Sequence, residues 1–320
     1  MKIDVHNHVI PKTVLDLLNS DRGFGVVHDG KIVNVVGQFE FPFTDSMCEP
    51  DAKIEELAKH GLEAAVLSIA PPTFLYHLDA ARSEAVCEAA NDGMAAFAAA
   101  QPRRFRWMAH VPMRAPERAA DMLRRAKNAG AVGVEIATNI VGERLDEARF
   151  DPFWSAADEL GLPVMIHPWY NAPNPGLDEW YFQNVIGNPL ETMTAACRLI
   201  CAGTLDRFAR VQILLVHGGG HLPYQLGRLR HAASVREELK DAPKDPWSYA
   251  GRLKFDCLTH DAKAAAFLID RAGVDNVFMG TDLPFDMAPT HPTVTLDEAV
   301  GKTVARQVLE TNAAKYFHFA

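Results

Sequence analysis

Eight short runs of apolar and β-branched residues recur along the 320-residue chain, each separated from the next by a longer segment. They are 2–6, 64–69, 105–110, 132–136, 163–167, 211–217, 252–257 and 276–280, and all but the first follow a helix-like stretch such as 51–60, which Gly61 stops. Strands buried on both faces of a parallel sheet read as near-continuous apolar runs, and their alternation with helices is the pattern of βα units. Eight such units predict an α/β chain closed into a (β/α)8 TIM barrel, one domain spanning 1–320.

Two stretches break the rhythm. Residues 23–43 alternate apolar and polar side chains around Asp29-Gly30, a two-residue turn signal, which predicts a small β-hairpin inserted after the first strand, at about 20–45. Residues 170–189 are rich in Pro, Asn and Gly and directly follow the fifth strand, where a barrel carries its functional loops. The alanine-rich 95–100 reads as a close-packed helix end, and no linker or repeat divides the chain.

Composition excludes several classes. Hydrophobic residues at 48% and charged residues at 23% are those of a folded globular chain. A net charge of −9 without a basic run argues against nucleic acid or an anionic membrane as partner. The cysteines, Cys48, Cys87, Cys197, Cys201 and Cys257, are odd in number and form no C-x-x-C pair, which suits reduced thiols rather than a disulfide scaffold. The opening residues lack a signal-peptide core and no run of about 18 apolar residues occurs, so a cytoplasmic protein is expected.

The chemistry concentrates at strand ends. His6-Asn7-His8 closes the first strand, where a period of two puts both imidazoles and Asp4 on the barrel-interior face and Ile3 and Val5 on the other. Alone this H-x-H is a weak signal. His167 ends the fifth strand, His217 the sixth, and Asp282 follows the eighth. A TIM barrel builds its active site at that rim, so five side chains distant in sequence meet there. Three neutral imidazoles and one carboxylate make a mononuclear divalent site with a position left for water.

These residues give the chain a resemblance to the amidohydrolase superfamily, and within it to the aminocarboxymuconate-semialdehyde decarboxylase-like group, also called amidohydrolase 2. The resemblance is carried by Asp4-Val5-His6-Asn7-His8, Gln101-Pro102-Arg103-Arg104-Phe105, His167-Pro168-Trp169, His217-Gly218-Gly219-Gly220 and Gly280-Thr281-Asp282-Leu283-Pro284-Phe285, in that order over nearly the whole chain. It implies that His6, His8, His167 and Asp282 bind one divalent ion, zinc first and manganese second. It also implies that His217 is a catalytic histidine beside the ion, acting with Asp282. No carboxylated lysine bridging two metals is expected. Arg228 matches an arginine that in related decarboxylases holds a substrate carboxylate, in part from a neighbouring subunit, so a homodimer or higher oligomer is expected. The group's picolinate-pathway members carry an arginine where this chain reads Phe43-Thr44-Asp45-Ser46-Met47, so a substrate other than aminocarboxymuconate semialdehyde is expected.

The triple glycine invites an esterase oxyanion hole or a phosphate cradle, but no G-x-S-x-G, G-x-x-x-x-G-K-[ST] or G-x-G-x-x-G accompanies it. Gly218 to Gly220 are read as a tight turn that lets His217 face the metal. Phe74 and Tyr76 after the second strand, Trp169 and Trp180 after the fifth, and Phe285 after the eighth are expected to wall a pocket for a flat, unsaturated acid, with His221 touching substrate. His110, Glu135 and Asp256 also end strands and are read as supporting polar groups.

The expected function is metal-dependent, non-oxidative decarboxylation of a small unsaturated or aromatic carboxylic acid. Hydrolysis or hydration of a related acid is the alternative, since both need the same five residues. A non-catalytic, metal-stabilised binding protein ranks last, because a structural site closes with four tight ligands and needs neither an extra histidine nor an aromatic mouth.

Overall fold

The computed structural model describes residues 1–35, 39–169, 175–243 and 245–319. Eight strands lie parallel in one sheet, in chain order: β1 (Ile3–Val9), β2 (Ala64–Ile69), β3 (Phe105–His110), β4 (Gly133–Ala137), β5 (Val164–His167), β6 (Ile213–Leu215), β7 (Leu253–Asp256) and β8 (Val277–Phe278). The sheet closes into a barrel where the residues after β8 meet β1. Val5 donates its amide to the Met279 carbonyl at 2.9 Å, Asp282 to that of His6 at 2.8 Å, and His8 to that of Leu283 at 2.7 Å.

Burial on both faces explains why the strands read as unbroken apolar runs. Leu67, Ile69, Trp107, Val134, Ile166 and Phe255 pack outward into the layer shared with the helices. Ile3, Val5, Val66, Met108, Met165, Leu214 and Phe278 fill the barrel axis, plugged from below by Phe317 and Phe319. Toward the carboxyl ends of the strands the buried side chains turn polar: His6, His8, Ser68, His110, Glu135, His167 and Asp256. The apolar floor excludes water and the polar layer above it forms the site.

The insertion is larger than one hairpin. Val26–His28, Ile32–Val35 and Phe39–Pro42 form a three-stranded antiparallel sheet. Its first turn is the one the Asp29-Gly30 signal predicts: the Asp29 carboxylate accepts the amides of Lys31 and Ile32 at 2.8 Å, and Gly30 takes φ 91°. Residues 36–38 lie outside the described residues. The aperiodic stretch 170–189 contains more order than its composition suggests, since a π-helical turn at Gln183–Gly187 runs into the helix Asn188–Cys201; residues 170–174 lie outside the described residues. The five cysteines are unpaired, and no described helix is long and apolar enough to cross a membrane.

Candidate metal centre and active site

A bulge in β1 builds the centre. Asp4 pairs with Ala65 and Asn7 with Leu67, so Val5 and His6 together oppose Val66. The extra residue shifts the alternation by one. Val5 joins the apolar axis of the barrel, and the next residue, His6, also turns inward one layer higher, followed by His8 opposite Ser68. This corrects the period-two expectation: Ile3 and Val5 occupy the interior, and Asp4 lies beside Ala65 on the outward side. Asp4 holds the bulge instead. Its Oδ1 accepts the His6 amide at 3.0 Å, and its Oδ2 accepts from Asn7 Nδ2 at 2.9 Å and the Thr281 hydroxyl at 2.5 Å. Burial nevertheless raises the Asp4 carboxyl to about 6.

The imidazoles of His6, His8 and His167 stand edge to edge, with ring centroids 5.0 to 5.1 Å apart. Each has its Nδ1 tied from behind. His6 bonds the Asp256 carboxylate at 2.7 Å, His8 meets the Ile69 carbonyl at 3.2 Å and Ser68 Oγ at 3.1 Å, and His167 bonds the Pro168 carbonyl at 2.9 Å. All three Nε2 atoms therefore point to one spot. They and Asp282 Oδ1 are buried without a hydrogen-bond partner, and the four ligand atoms lie within 4.8 Å of one another. Buried polar atoms are normally satisfied, so four orphans converging on one point fit a divalent ion, and three nitrogens with one oxygen suit zinc or manganese.

The electrostatics of His8 and His167 agree with this reading, whereas the carboxylates around His6 act the other way and correct the expectation of three neutral imidazoles. Burial lowers His8 to about 4 and drives His167 well below the ordinary histidine value, helped by the neighbouring imidazoles, so both are neutral donors near neutrality. Burial also pulls on His6, but Asp282 and Asp256 outweigh it and carry it to about 9. Asp282 is held well below the usual carboxylate range, burial being overcome by His6, His217 and His8.

His217 stands beside this cluster. Its Nε2 is 3.6 Å from Asp282 Oδ2, and its ring is 5.2 Å from those of His6 and His167. Both His217 and Asp282 have positive φ, 55° and 65°, a conformation non-glycine residues adopt at a cost. Asp256 unites the two halves of the site. Its carboxylate takes His6 Nδ1 and also accepts the amides of His217 at 3.0 Å, Gly218 at 2.7 Å and Leu258 at 3.1 Å. The glycines that follow allow the turn: a Cβ at Gly220 would sit 2.2 Å from the Pro189 carbonyl oxygen, at φ 60°.

Gly280, two residues past β8, packs against His6 and Asp256, where a Cβ would lie 2.6 Å from Asp256 Cβ and 2.9 Å from His6 Cβ. Gly280→Ala is therefore expected to push His6 off its position and to weaken metal affinity by about 10-fold or more, as loss of an orienting partner does. Metal titration by calorimetry checks this, and unchanged affinity would contradict the packing argument.

A cavity of about 310 Å³ opens at His167, His217 and Asp282, walled by Phe41, Trp169, Tyr181 and Phe285. The Phe285 ring lies 5.6 Å from that of His8 and 5.4 Å from that of Phe41. A second cavity of about 320 Å³ shares His217 and Asp282 and reaches His221, Thr259 and His260. The structure thus brings Trp169, Phe285 and His221 to the site. It does not bring the other expected wall residues. Phe74 and Tyr76 are fully buried and stack on His110 behind the wall, Phe74 standing edge-on to His167 at 6.3 Å. Trp180 is 79% exposed, and its neighbour Tyr181 lines the cavity in its place. Arg228 is exposed on the helix Leu222–Val235 and lines neither cavity. Sequence reasoning passed over Phe41 and Tyr181, and also Lys53, whose buried Nζ donates to the His8 carbonyl at 3.1 Å and to Glu56 at 2.7 Å. Only the place of 39–42 in an inserted strand hints at Phe41; nothing in the helical pattern of 51–60 marks Lys53.

A family model described as amidohydrolase matches residues 3–319. The chain is similar to 2-amino-3-carboxymuconate-6-semialdehyde decarboxylase of Dictyostelium discoideum, 29% identical over 99% of this chain and 91% of that protein. It is also similar to γ-resorcylate decarboxylase of Polaromonas sp. strain JS666, 30% identical over 74% of this chain and 77% of the relative. Among solved structures, 5-carboxyvanillate decarboxylase of Sphingomonas paucimobilis superposes with a TM-score of 0.84 at 25% identity, covering 100% of this chain and 99% of that one.

Proposed function

The chain belongs to the amidohydrolase family, and from that premise we propose that it is a metal-dependent, non-oxidative decarboxylase of an unsaturated or aromatic carboxylic acid, a carboxy-lyase. The observation that carries this reading is the set of four buried, unpartnered ligand atoms of His6, His8, His167 and Asp282, opening with His217 onto an aromatic-walled cavity. These four hold the ion in this proposal, with Zn2+ the first choice and Mn2+ the second. When bound, a divalent ion polarises a coordinated carboxylate or phenol oxygen and lowers the pKa of its water to about 7.

The chain's own residues do the rest. Phe41, Trp169 and Phe285 hold a flat ring and exclude water. Asp282 Oδ2 faces His217 Nε2 at 3.6 Å and orients it. As the carbon–carboxylate bond breaks, the electron pair left on carbon takes a proton from His217, and carbon dioxide leaves; no oxidant or organic cofactor is consumed. Asp256 positions His6 and His217 together, and His221 contacts the substrate from the second cavity. The catalytic unit is the whole barrel, 1–320, whose insertion at about 20–45 supplies part of the wall, and the cytoplasm is the proposed compartment.

Arg228 contributes in this reading only across a subunit interface, since in its own subunit it lines neither cavity. A homodimer or higher oligomer is the assembly proposed. Sedimentation checks this, and a strict monomer with full activity would remove the role of Arg228. The reaction itself is tested in deuterated water. The expected product has lost the carboxyl carbon and gained one deuterium on the carbon that bore it. A product that keeps every carbon and gains the mass of water with a deuterium on carbon would replace decarboxylation by hydration, and water consumed with every carbon-bound hydrogen untouched would replace it by hydrolysis.

A further inference from the structure

An ammonium taken out of water has to be paired and hydrogen-bonded, so the place of a buried lysine is set by its acceptors. Lys53 lies on the helix Pro50–Lys59, the first α-helix after the inserted sheet, and is fully buried. Its Nζ donates to the His8 carbonyl at 3.1 Å and to Glu56 Oε2 at 2.7 Å. The other oxygen of Glu56 accepts the Ser46 hydroxyl at 2.6 Å, and Ser46 Oγ lies 2.9 Å from the hydroxyl of Thr44, a residue that lines the aromatic cavity. The lysine is thus anchored on one side to the cavity wall and reaches on the other to the peptide of a candidate metal ligand.

The His8 carbonyl takes this donor because the ladder that closes the barrel stops beside it. In a parallel ladder the amide and the carbonyl of one residue face the same neighbouring strand and bond residues two apart on it. The His8 amide donates to the Leu283 carbonyl at 2.7 Å, so the regular partner of its own carbonyl is the amide of Phe285. Phe285 instead donates that amide to the Asp282 carbonyl at 3.1 Å, and Pro284 has no amide hydrogen. An ammonium from outside the sheet supplies the donor. Its bond falls at the seam between β1, which carries His6 and His8, and the turn that carries Asp282. An apolar pair in place of Lys53 and Glu56 would serve stability as well, but it would leave the His8 carbonyl buried without this donor.

We propose that Lys53 is a positioning residue of the metal centre: its ammonium stands in for the absent ladder amide and fixes the His8 peptide relative to Asp282, so that His8 Nε2 stays on the point where the four ligand atoms converge. It acts through His8. The inference rests on the assignment of His6, His8, His167 and Asp282 as ligands, and not on the reaction catalysed.

The Zn2+ affinity of the purified chain is measured by competition with a chelator of known affinity, and the Tm is measured on the same samples without metal. Lys53→Met, close in size but apolar, is expected to bind Zn2+ about 10-fold more weakly, the usual effect of losing an orienting partner. Because that variant leaves Glu56 without its cation, Lys53→Met combined with Glu56→Gln is the companion. Its glutamine still accepts from Ser46, and the same loss of affinity is expected. Leu57→Ala is the control, on the same helix and fully buried: it opens a cavity and lowers the Tm, but should keep Zn2+ affinity within about twofold. Unchanged affinity in either lysine variant, or a loss in Leu57→Ala equal to theirs, would overturn the proposal and leave the ligand assignment standing. Absence of Zn2+ binding by the wild type would overturn the assignment and the proposal together.

Discussion

Replacing His217 with alanine is expected to leave the metal bound and to lower kcat by about 10² to 10⁴, the usual contribution of a group that moves a proton in the transition state. The ligand atoms that converge are those of His6, His8, His167 and Asp282; His217 meets the other oxygen of Asp282 from the side, at 3.6 Å. Removing its ring takes away the proton donor and none of the four converging atoms. Because residue 217 has φ 55°, His217→Asn is the companion variant, since asparagine tolerates that backbone better than most residues. Metal content and turnover are measured on both. Loss of the metal would make His217 a ligand, and near-normal turnover with the metal retained would end its catalytic role.

The second large effect is expected from His167→Ala combined with Asp282→Ala. It removes two of the four converging atoms, so the purified variant should carry no stoichiometric metal and show no turnover above background. Stability supplies an independent readout. A ligand that binds only the folded chain, at 1,000 times its Kd, adds about 4.1 kcal/mol. Chelation should therefore lower the Tm of the wild type and restored metal should raise it again, whereas the double variant should respond to neither. Metal retained at one ion per chain in that variant would sink the ligand assignment.

Much of this molecule was legible because a doubly buried parallel strand leaves a continuous apolar run, and because such a barrel gathers strand ends at one rim. Seven of the eight strands lie within the expected runs 64–69, 105–110, 132–136, 163–167, 211–217, 252–257 and 276–280 to within one residue. β1 is the exception at its far end, running to Val9 rather than to 6, because the residues after β8 continue to pair with it. His6, His8, His167 and Asp282 could be read as neighbours without any contact information, since each lies in the carboxyl half of a strand or follows one.

What the sequence pattern determined by itself is therefore the set of strands, their order around the barrel and the residues delivered to its rim, all of which follow from local periodicity and from the closure of eight βα units. Tertiary structure alone decided the directions in which those residues point. The phase of β1 reverses at a bulge held by Asp4 and Thr281, which are 277 positions apart, and a period of two carries no trace of so distant a bond. Asp256 became the link between His6 and His217 only when β7 came to lie between their strands' ends. Phe74 and Tyr76 turned inward to stack on His110, and Tyr181 rather than Trp180 faced the cavity, because a loop's direction is set by what it packs against. Composition can place an aromatic residue near a site; long-range contacts choose whether its ring becomes a wall or a support.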